Sequence, residues 1–510
     1  MGIGRPFQIY PKQASVNRRQ VNRRITVPAP TGGWNTRDDP TNMPVNDAAE
    51  LINMIPRQGF CEMRGGYESH STGVGSGNVD LVTEYYNGST RVLLSASPTN
   101  IYNSTAAGAA TSLGSGFSNG RWDVATFNGI MGFVNGADTP QQFDGTTLST
   151  LTITGSGLTS STLVGVHIFK SRSYFWEADN QSFWYSATNA LGGTLTEFQL
   201  GRIAKKGGKL LRMASWTVDG GSGPDDYAVF IMDSGEVIVY QGDDPGSALY
   251  WGIVGVYNIG EIASDRAVVP FGGEILAVGE SDILTMPSAF NTPTPPASKL
   301  SGAISDAIFN YGGNPGWEVF IYPNVNLAII NVPVSLSPDA FDQYVLNTEN
   351  LAGCRFTGIP SRTWGLYNNN AYFGGSDGVV YKFNTVTNDA GSDISVTART
   401  AWSDIGAPEN KQFTTIRPVF SSSSSLEVDI GIGYDFLDAT LSSPSSTVSG
   451  GTAWGSPWGS SWGTPYVQVS VWRLITGEGS AVSVQMRYSR TGDSPKWYKT
   501  DALVKQGGNL

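Results

Sequence analysis

Residues able to do chemistry are few in this chain, and their spacing does not favour it. Gly-x-Ser-x-Gly, which lifts a nucleophilic serine onto a strand-to-helix elbow, occurs twice, as GGSDG at 374–378 and GSSWG at 459–463. The first sits in a hairpin turn and the second in a Gly/Ser/Trp run, so neither has the helix an elbow needs. With 63 glycines such matches arise by chance. His70 and His167 are the two histidines, and any histidine-based triad or two-histidine metal site would have to use them. His70 lies in a Ser/Gly-rich stretch and His167 in the apolar strand pattern LVGVHIFK, so both are expected as hydrogen-bonded structural side chains. The pairs Asp225-Asp226 and Asp243-Asp244 lack calcium-loop spacing and read as turn residues. A two-carboxylate glycosidase stays open as an alternative, because spacing along the chain does not fix a distance in space. Cys61 and Cys354 cannot form a disulfide framework or a zinc site and are expected as free thiols in a reducing compartment. The sequence therefore assigns no catalytic residue, no cofactor and no metal.

Two features point to contact rather than reaction. Residues 1–37 hold seven Lys/Arg (Arg5, Lys12, Arg18, Arg19, Arg23, Arg24 and Arg37) and no acid, leaving 25 basic against 43 acidic residues, a net of −18, on the rest. A basic arm on an acidic body suggests a partner. Residues 1–30 read as extended, either a solvated tail or an arm that orders against an acidic neighbour. No aromatic interleaves the pairs Arg18-Arg19 and Arg23-Arg24, which weakens the third option, nucleic acid. Trp454, Trp458 and Trp462 repeat every four residues in WGSPWGSSWG, where Gly and Pro forbid a helix. They are expected either to fold back on their own domain or to form a distal aromatic tip that touches sugar, protein or a membrane surface.

The elements that must position these residues read as strands. Charged residues make up only 15%, and Gly, Ser, Thr and aromatics are abundant. Hairpins recur around Asn87-Gly88, Asn128-Gly129, Asp144-Gly145, Asp233-Ser234-Gly235 and the 375–378 turn. A long all-β chain can protect its edges by radial repetition of small sheets. The expected fold is all-β: an irregular β-propeller with a C-terminal β-sandwich-like domain and an extended N-terminal arm. The expected divisions are a basic arm over 1–37, a propeller body over 38–393, and a C-terminal β-domain over 394–510 with a Gly/Ser/Trp-rich loop at 442–464. PVNDAAELINMI (44–55) reads as a short helix capped by Asn46 or Asp47, and SKLSGAISDAIFN (298–310) as a helix inserted between blades, with Leu300, Ile304 and Ile308 on one face. No apolar run is long enough for a membrane span, and no apolar segment follows the N-terminal basic residues as a secretory signal would require.

Several stretches together resemble the tail nozzle (tail hub) proteins of short-tailed, podovirus-like bacteriophages. They are GGWNTRDDPTNMPVNDAAELINMIPRQGFCEMRGGY (32–67), FVNGADTPQQFDGTTL (133–148), residues 168–201, residues 207–246 and KQFTTIRPVFSSSSSLEVDIGIGYDF (411–436). The resemblance implies a non-enzymatic virion protein with a β-propeller, made in the host cytoplasm and located in the virion tail. It implies a homo-oligomeric, hexameric ring below the portal and adaptor. Double-stranded genomic DNA would pass through its lumen without sequence-specific binding during ejection. Tail fibres or spikes would attach nearby, and a plug or needle would close the exit. Within that frame Arg18, Arg19, Arg23 and Arg24 are expected to contact the adaptor, and Trp454, Trp458 and Trp462 to sit at the distal tip. The alternative is a propeller-based tail protein that binds a host receptor or surface glycan.

Overall fold

The computed structural model describes residues 22–219, 224–279, 283–285, 298–299, 303–336, 339–406, 409–422, 426–442, 467–490, 492 and 494–506. Local turn chemistry builds the hairpins. Asn128 and Gly129 both take positive φ (52° and 77°), as a tight two-residue turn requires, and pair Asp123–Phe127 with Ile130–Val134. At the next turn Gly145 takes φ 103°, and Asp144 Oδ1 accepts the backbone N–H of Thr146 and Thr147.

The hairpins assemble into seven sheets, each four-stranded in its propeller part. Their innermost strands are Leu81–Tyr86, Asp123–Phe127, Leu163–Phe169, Leu210–Asp219, Val268–Phe271, Glu318–Tyr322 and Thr363–Tyr367, which begin blades 1 to 7. Blade 7 takes its fourth strand from the other end of the propeller: Gly66–Thr72 pairs antiparallel with Val380–Val386. That pairing closes the ring. Packing confirms closure. Blades 1 and 2 share a core around Tyr85, Trp122 and Phe133, and blades 2 and 3 one around Val134, Val166 and Trp184. Blades 3 and 4 share a core around Tyr174, Phe183 and Phe230. Blades 4 to 7 join one large cluster, and Val82, Tyr372 and Val380 seal blade 7 to blade 1. Among the described residues the fold is thus an all-β propeller of seven blades, spanning roughly 66–386.

The second unit is a β-sandwich, and the chain reaches it twice. One sheet holds Arg23–Pro28, Met54–Arg57 and Phe60–Met63 with Lys411–Ser422, Val467–Val469, Arg473–Gly479 and Lys496–Gln506. The other sets Asp47–Ile52 beside Ile394–Thr400, Val482–Arg490 and Asp429–Tyr434, and continues into blade 6 through Gly353–Phe356. The divisions expected at 37/38 and 393/394 are therefore crossed by sheets. The propeller is an insertion into a sandwich made from both ends of the described chain.

Both expected helices need correction. Residues 44–55 form two strands rather than a helix. Asn53, at φ 56°, breaks the chain between Asp47–Ile52 in one sheet and Met54–Arg57 in the other, and a bulge between Ala48 and Glu50 hides the strand period. In 298–310 the helix is only Ser305–Phe309, while Ser298–Lys299 pairs as the outer strand of blade 5. Ile304 and Ile308 are buried as expected, and Leu300 lies outside the described residues. The short helix does fall between blades 5 and 6.

The Arg-Gly-Gly-Tyr segment at 64–67 is the joint between the two units. Arg64 is fully buried and forks onto Asp389 at 2.6 and 2.8 Å. Its remaining donors reach Asn53 Oδ1 and the carbonyls of Gly65 and Thr357. Gly66 permits the close approach, because a Cβ there would stand 1.9 Å from the Asn388 carbonyl oxygen.

Candidate functional site

A cavity of about 640 Å³ lies at one end of the propeller, where the innermost strands begin. Asp80, Arg121, Asp265, Arg266, Phe341 and Arg362 are among its lining residues. A second cavity of about 290 Å³ shares Arg121, Leu211 and Asp265 with it. The position of these charges is repetitive. Asp80, Arg121, Arg266 and Arg362 each stand one or two residues before an innermost strand, and Asp123 and Glu318 open theirs.

Each charge is answered by another blade. Arg121, ahead of blade 2, pairs with Asp265, ahead of blade 5. Arg212 of blade 4 reaches Asp123 of blade 2 at 2.7 Å, and the other Asp123 oxygen accepts Val166 N–H of blade 3. Arg362 pairs with Asp80 at 3.2 Å, joining blades 7 and 1, and its guanidinium lies over Phe341. Arg266 sits among them, 3.7 Å from Glu318 and donating to the carbonyls of Asp80 and Trp122. Glu318 of blade 6 accepts Thr363 Oγ1 and Trp364 N–H of blade 7. Four cations and four carboxylates thus knot all seven blades together across the axis.

Burial costs these charges, and pairing offsets the cost to different degrees. Burial pushes Glu318 up, against the pull of Arg266. Burial also lowers Arg266, aided by the neighbouring Arg121 cation. Asp265 is only half-buried; desolvation would raise it, but Arg121 and Arg266 outweigh that and hold it well below the usual carboxylate range. The arrangement can rigidify and close the axis. It offers no free nucleophile poised beside a base, and no group of three His, Cys, Asp or Glu among the described residues could hold a metal ion.

The structure separates the residues that the sequence singled out. His167 Nε2 lies 2.8 Å from Ser215 Oγ on the adjacent innermost strand. Burial and the Arg212 cation push the imidazole down to about 4. Among the described residues no carboxylate bonds its second ring nitrogen, so the pair lacks the orienting third member of a triad. His70 lies 3.1 Å from the Ser104 carbonyl oxygen. Both match the expected structural roles. GGSDG (374–378) joins two strands of blade 7 without a helix. Cys61 and Cys354 are free and buried, and burial raises both thiols far above their ordinary value. Asp226 accepts Thr217 Oγ1, and Asp244 accepts Gly246 N–H and pairs with Arg172.

Of the four arginines assigned to an adaptor, Arg18 and Arg19 lie outside the described residues, as do Trp454, Trp458 and Trp462. Arg23 is exposed on the Arg23–Pro28 strand. Arg24 is committed within the chain, bonding the fully buried Asp501 at 2.6 Å. The charged knot itself is a feature that sequence reading missed. Its signal was the recurrence of a charge at the start of successive blades.

No family model and no curated protein matches the chain. Among solved structures it is similar to YCF48 from Cyanidioschyzon merolae, at 10% identity and TM-score 0.41, over 62% of this chain and 98% of that one. It is also similar to the computationally designed Ika8 protein, at 9% identity and TM-score 0.37, over 62% of this chain and 99% of that one. A third likeness is to exo-beta-1,3-galactanase from Phanerochaete chrysosporium, at 11% identity and TM-score 0.30, over 75% and 95% of the two chains. Likenesses this distant carry no functional argument. Among the described residues no helix is long and apolar enough to cross a membrane.

Proposed function

We propose that this chain is a structural subunit of a bacteriophage tail, forming the nozzle ring through which genomic DNA leaves the particle below portal and adaptor. The observation that carries this reading is the saturated charge knot at the propeller axis. Enzymes leave charged groups poised at such an end, with pKa values and partners matched to a reaction. Here each charge of the knot has a partner in another blade, which suits a rigid mechanical wedge. The stretches that resemble nozzle proteins fall on structural parts: residues 32–67 hold the joint, 168–201 hold three of the four strands of blade 3, and 207–246 hold most of blade 4. The net charge supports the same reading. Six copies of an acidic body would bring roughly −110 charges to one ring, and a wall of that sign repels phosphate rather than retaining it.

The test follows the chain through a density gradient of lysate from producing cells, with mass spectrometry of each fraction. The expected result is co-sedimentation with DNA-filled particles at about six copies per portal ring. A chain found only in soluble fractions would overturn the proposal and bring the glycan-binding alternative forward.

A further inference from the structure

The outer edges of the seven blades are not treated alike. Natural sheets protect their edges by shortness, bulges, charge or an added strand. Blade 3 is covered by Ile153–Gly155, blade 6 by Asp47–Ile52 and blade 7 by Gly108–Ala109. Blades 2 and 5 end in strands of three and two residues, and blade 1 in a five-residue strand broken by a bulge. Blade 4 differs. Its outer strand, Trp251–Asn258, is eight residues long and pairs only inward among the described residues. Pro245 to Asn258 contains no charged residue. Leu249 is 81% exposed, and Tyr250, Ile253 and Val254 are exposed beside it. Its one bulge leaves Val254 outside the pairing and adds to that apolar surface.

A second surface matches this one in order and in sign. In the sandwich, Arg473–Gly479 pairs only with Lys411–Ser422 among the described residues. Leu474 on it is 86% exposed, and Val471 and Trp472 before it are exposed as well. At the Asn258 end of the blade 4 edge stand exposed Arg202, Lys205 and Lys206 against one exposed acid, Glu261; Lys205 and Lys206 are fixed by their backbone N–H groups bonding Glu236 opposite Asn258. At the Gly479 end of the sandwich edge stand exposed Asp435 and Glu478, with exposed Asp404 close enough to act on Lys411 opposite Gly479. Laid parallel, the two edges bring apolar start against apolar start and basic end against acidic end.

We propose that the blade 4 edge of one copy takes the Arg473–Gly479 edge of a second copy as an added parallel strand. The two surfaces differ, so the contact is head-to-tail and repeats around a ring or filament. The inference rests on the reading of the chain as a ring-forming subunit and names the surfaces that join its copies.

The experiment uses full-length Ile253→Lys and Leu474→Lys in sedimentation velocity, alone and mixed. Wild-type chain is expected to associate beyond the dimer. Each variant alone should lose about thirtyfold or more in self-association, as for a central interface residue. An equimolar mixture should stop at the dimer, because one junction with both native surfaces remains available. That dimer also shows that both variants fold. Variants that assemble as wild type does would overturn these surfaces while leaving a ring intact. Assembly lost in Ile253→Lys but kept in Leu474→Lys would equally overturn the pairing. A wild-type chain that stays monomeric and is absent from particles would overturn both the pairing and the ring.

Discussion

Arg64 and Asp389 form a buried, two-pronged ion pair where the chain leaves the sandwich and where it returns from the propeller. The whole propeller lies between them in sequence, so the pair fixes both crossings at once. Removing one partner leaves the other charge buried without compensation. Asp389→Ala is expected to cost about 3–5 kcal/mol, and Arg64→Met with Asp389→Leu together less than the sum of the single changes. Urea unfolding of the single and double variants measures this. Additive single effects would show that the pair does not act as a unit.

The knot at the axis makes a parallel prediction with a different signature. Arg266 serves Glu318 and the carbonyls of Asp80 and Trp122, so it ties blade 5 to blades 6, 1 and 2. Arg266→Met should destabilise the propeller by about 3 kcal/mol or more, since it strands a buried carboxylate and two carbonyls. Hydrogen exchange should rise first in the innermost strands of blades 1, 2 and 6. A loss confined to the sandwich would contradict the assignment.

Legibility in the sequence followed the range of the interactions. The hairpins at 87–88, 128–129 and 144–145 were readable because a turn is specified by its own residues. Ring closure by Gly66–Thr72 on Val380–Val386 was not, because nothing local to either strand names the other. The same holds for the sandwich, whose strands come from both ends of the described chain and so escaped a division into consecutive domains. Residues 44–55 misled because burial on both faces removes alternation, and spaced apolar residues then mimic a helix. Arg-Gly-Gly-Tyr was visible as a motif, but its meaning required Asp389 and Asn388. The basic arm looked like one feature, whereas Arg24 turns out to belong to the sandwich.

Asp501 gives the fold an acid-sensitive point. It is fully buried and surrounded by Arg24, Arg417, Lys499 and Thr26. Burial alone would raise it, but the bonds from Arg417, Thr26 and Arg24 outweigh burial and bring it down to about 2 from an ordinary 3.8. A carboxyl lowered on folding adds stability above its unfolded value and loses it as pH falls through the folded one. The contribution should therefore be present above about pH 4 and vanish between about pH 4 and pH 2. Asp501→Asn should be less stable than wild type at pH 6, and the difference should shrink through that window. Urea midpoints at pH 6, 4 and 3 decide it, and a difference that stays constant would exclude titration of Asp501 as the cause.

Trimming the N-terminus separates docking from folding, provided the cut respects the strand Arg23–Pro28. That strand pairs along Lys499–Val504, and it carries two of the partners of Asp501. A chain lacking residues 1–30 is therefore expected to lose stability by about 2 kcal/mol or more, through the lost strand and the half-paired buried carboxylate. A chain lacking only residues 1–21 keeps both and should unfold as wild type does. It still loses Arg5, Lys12, Arg18 and Arg19, so if the arm grips an acidic adaptor surface, its docking should weaken. The deficit should be largest at low salt and fade as ionic strength rises, because added salt screens the attraction that the full-length arm provides. Binding of both chains to isolated portal–adaptor complex across a salt series measures this. Equal affinities at low salt would remove residues 1–21 from the docking surface and leave exposed Arg23 as the arginine still to be tested.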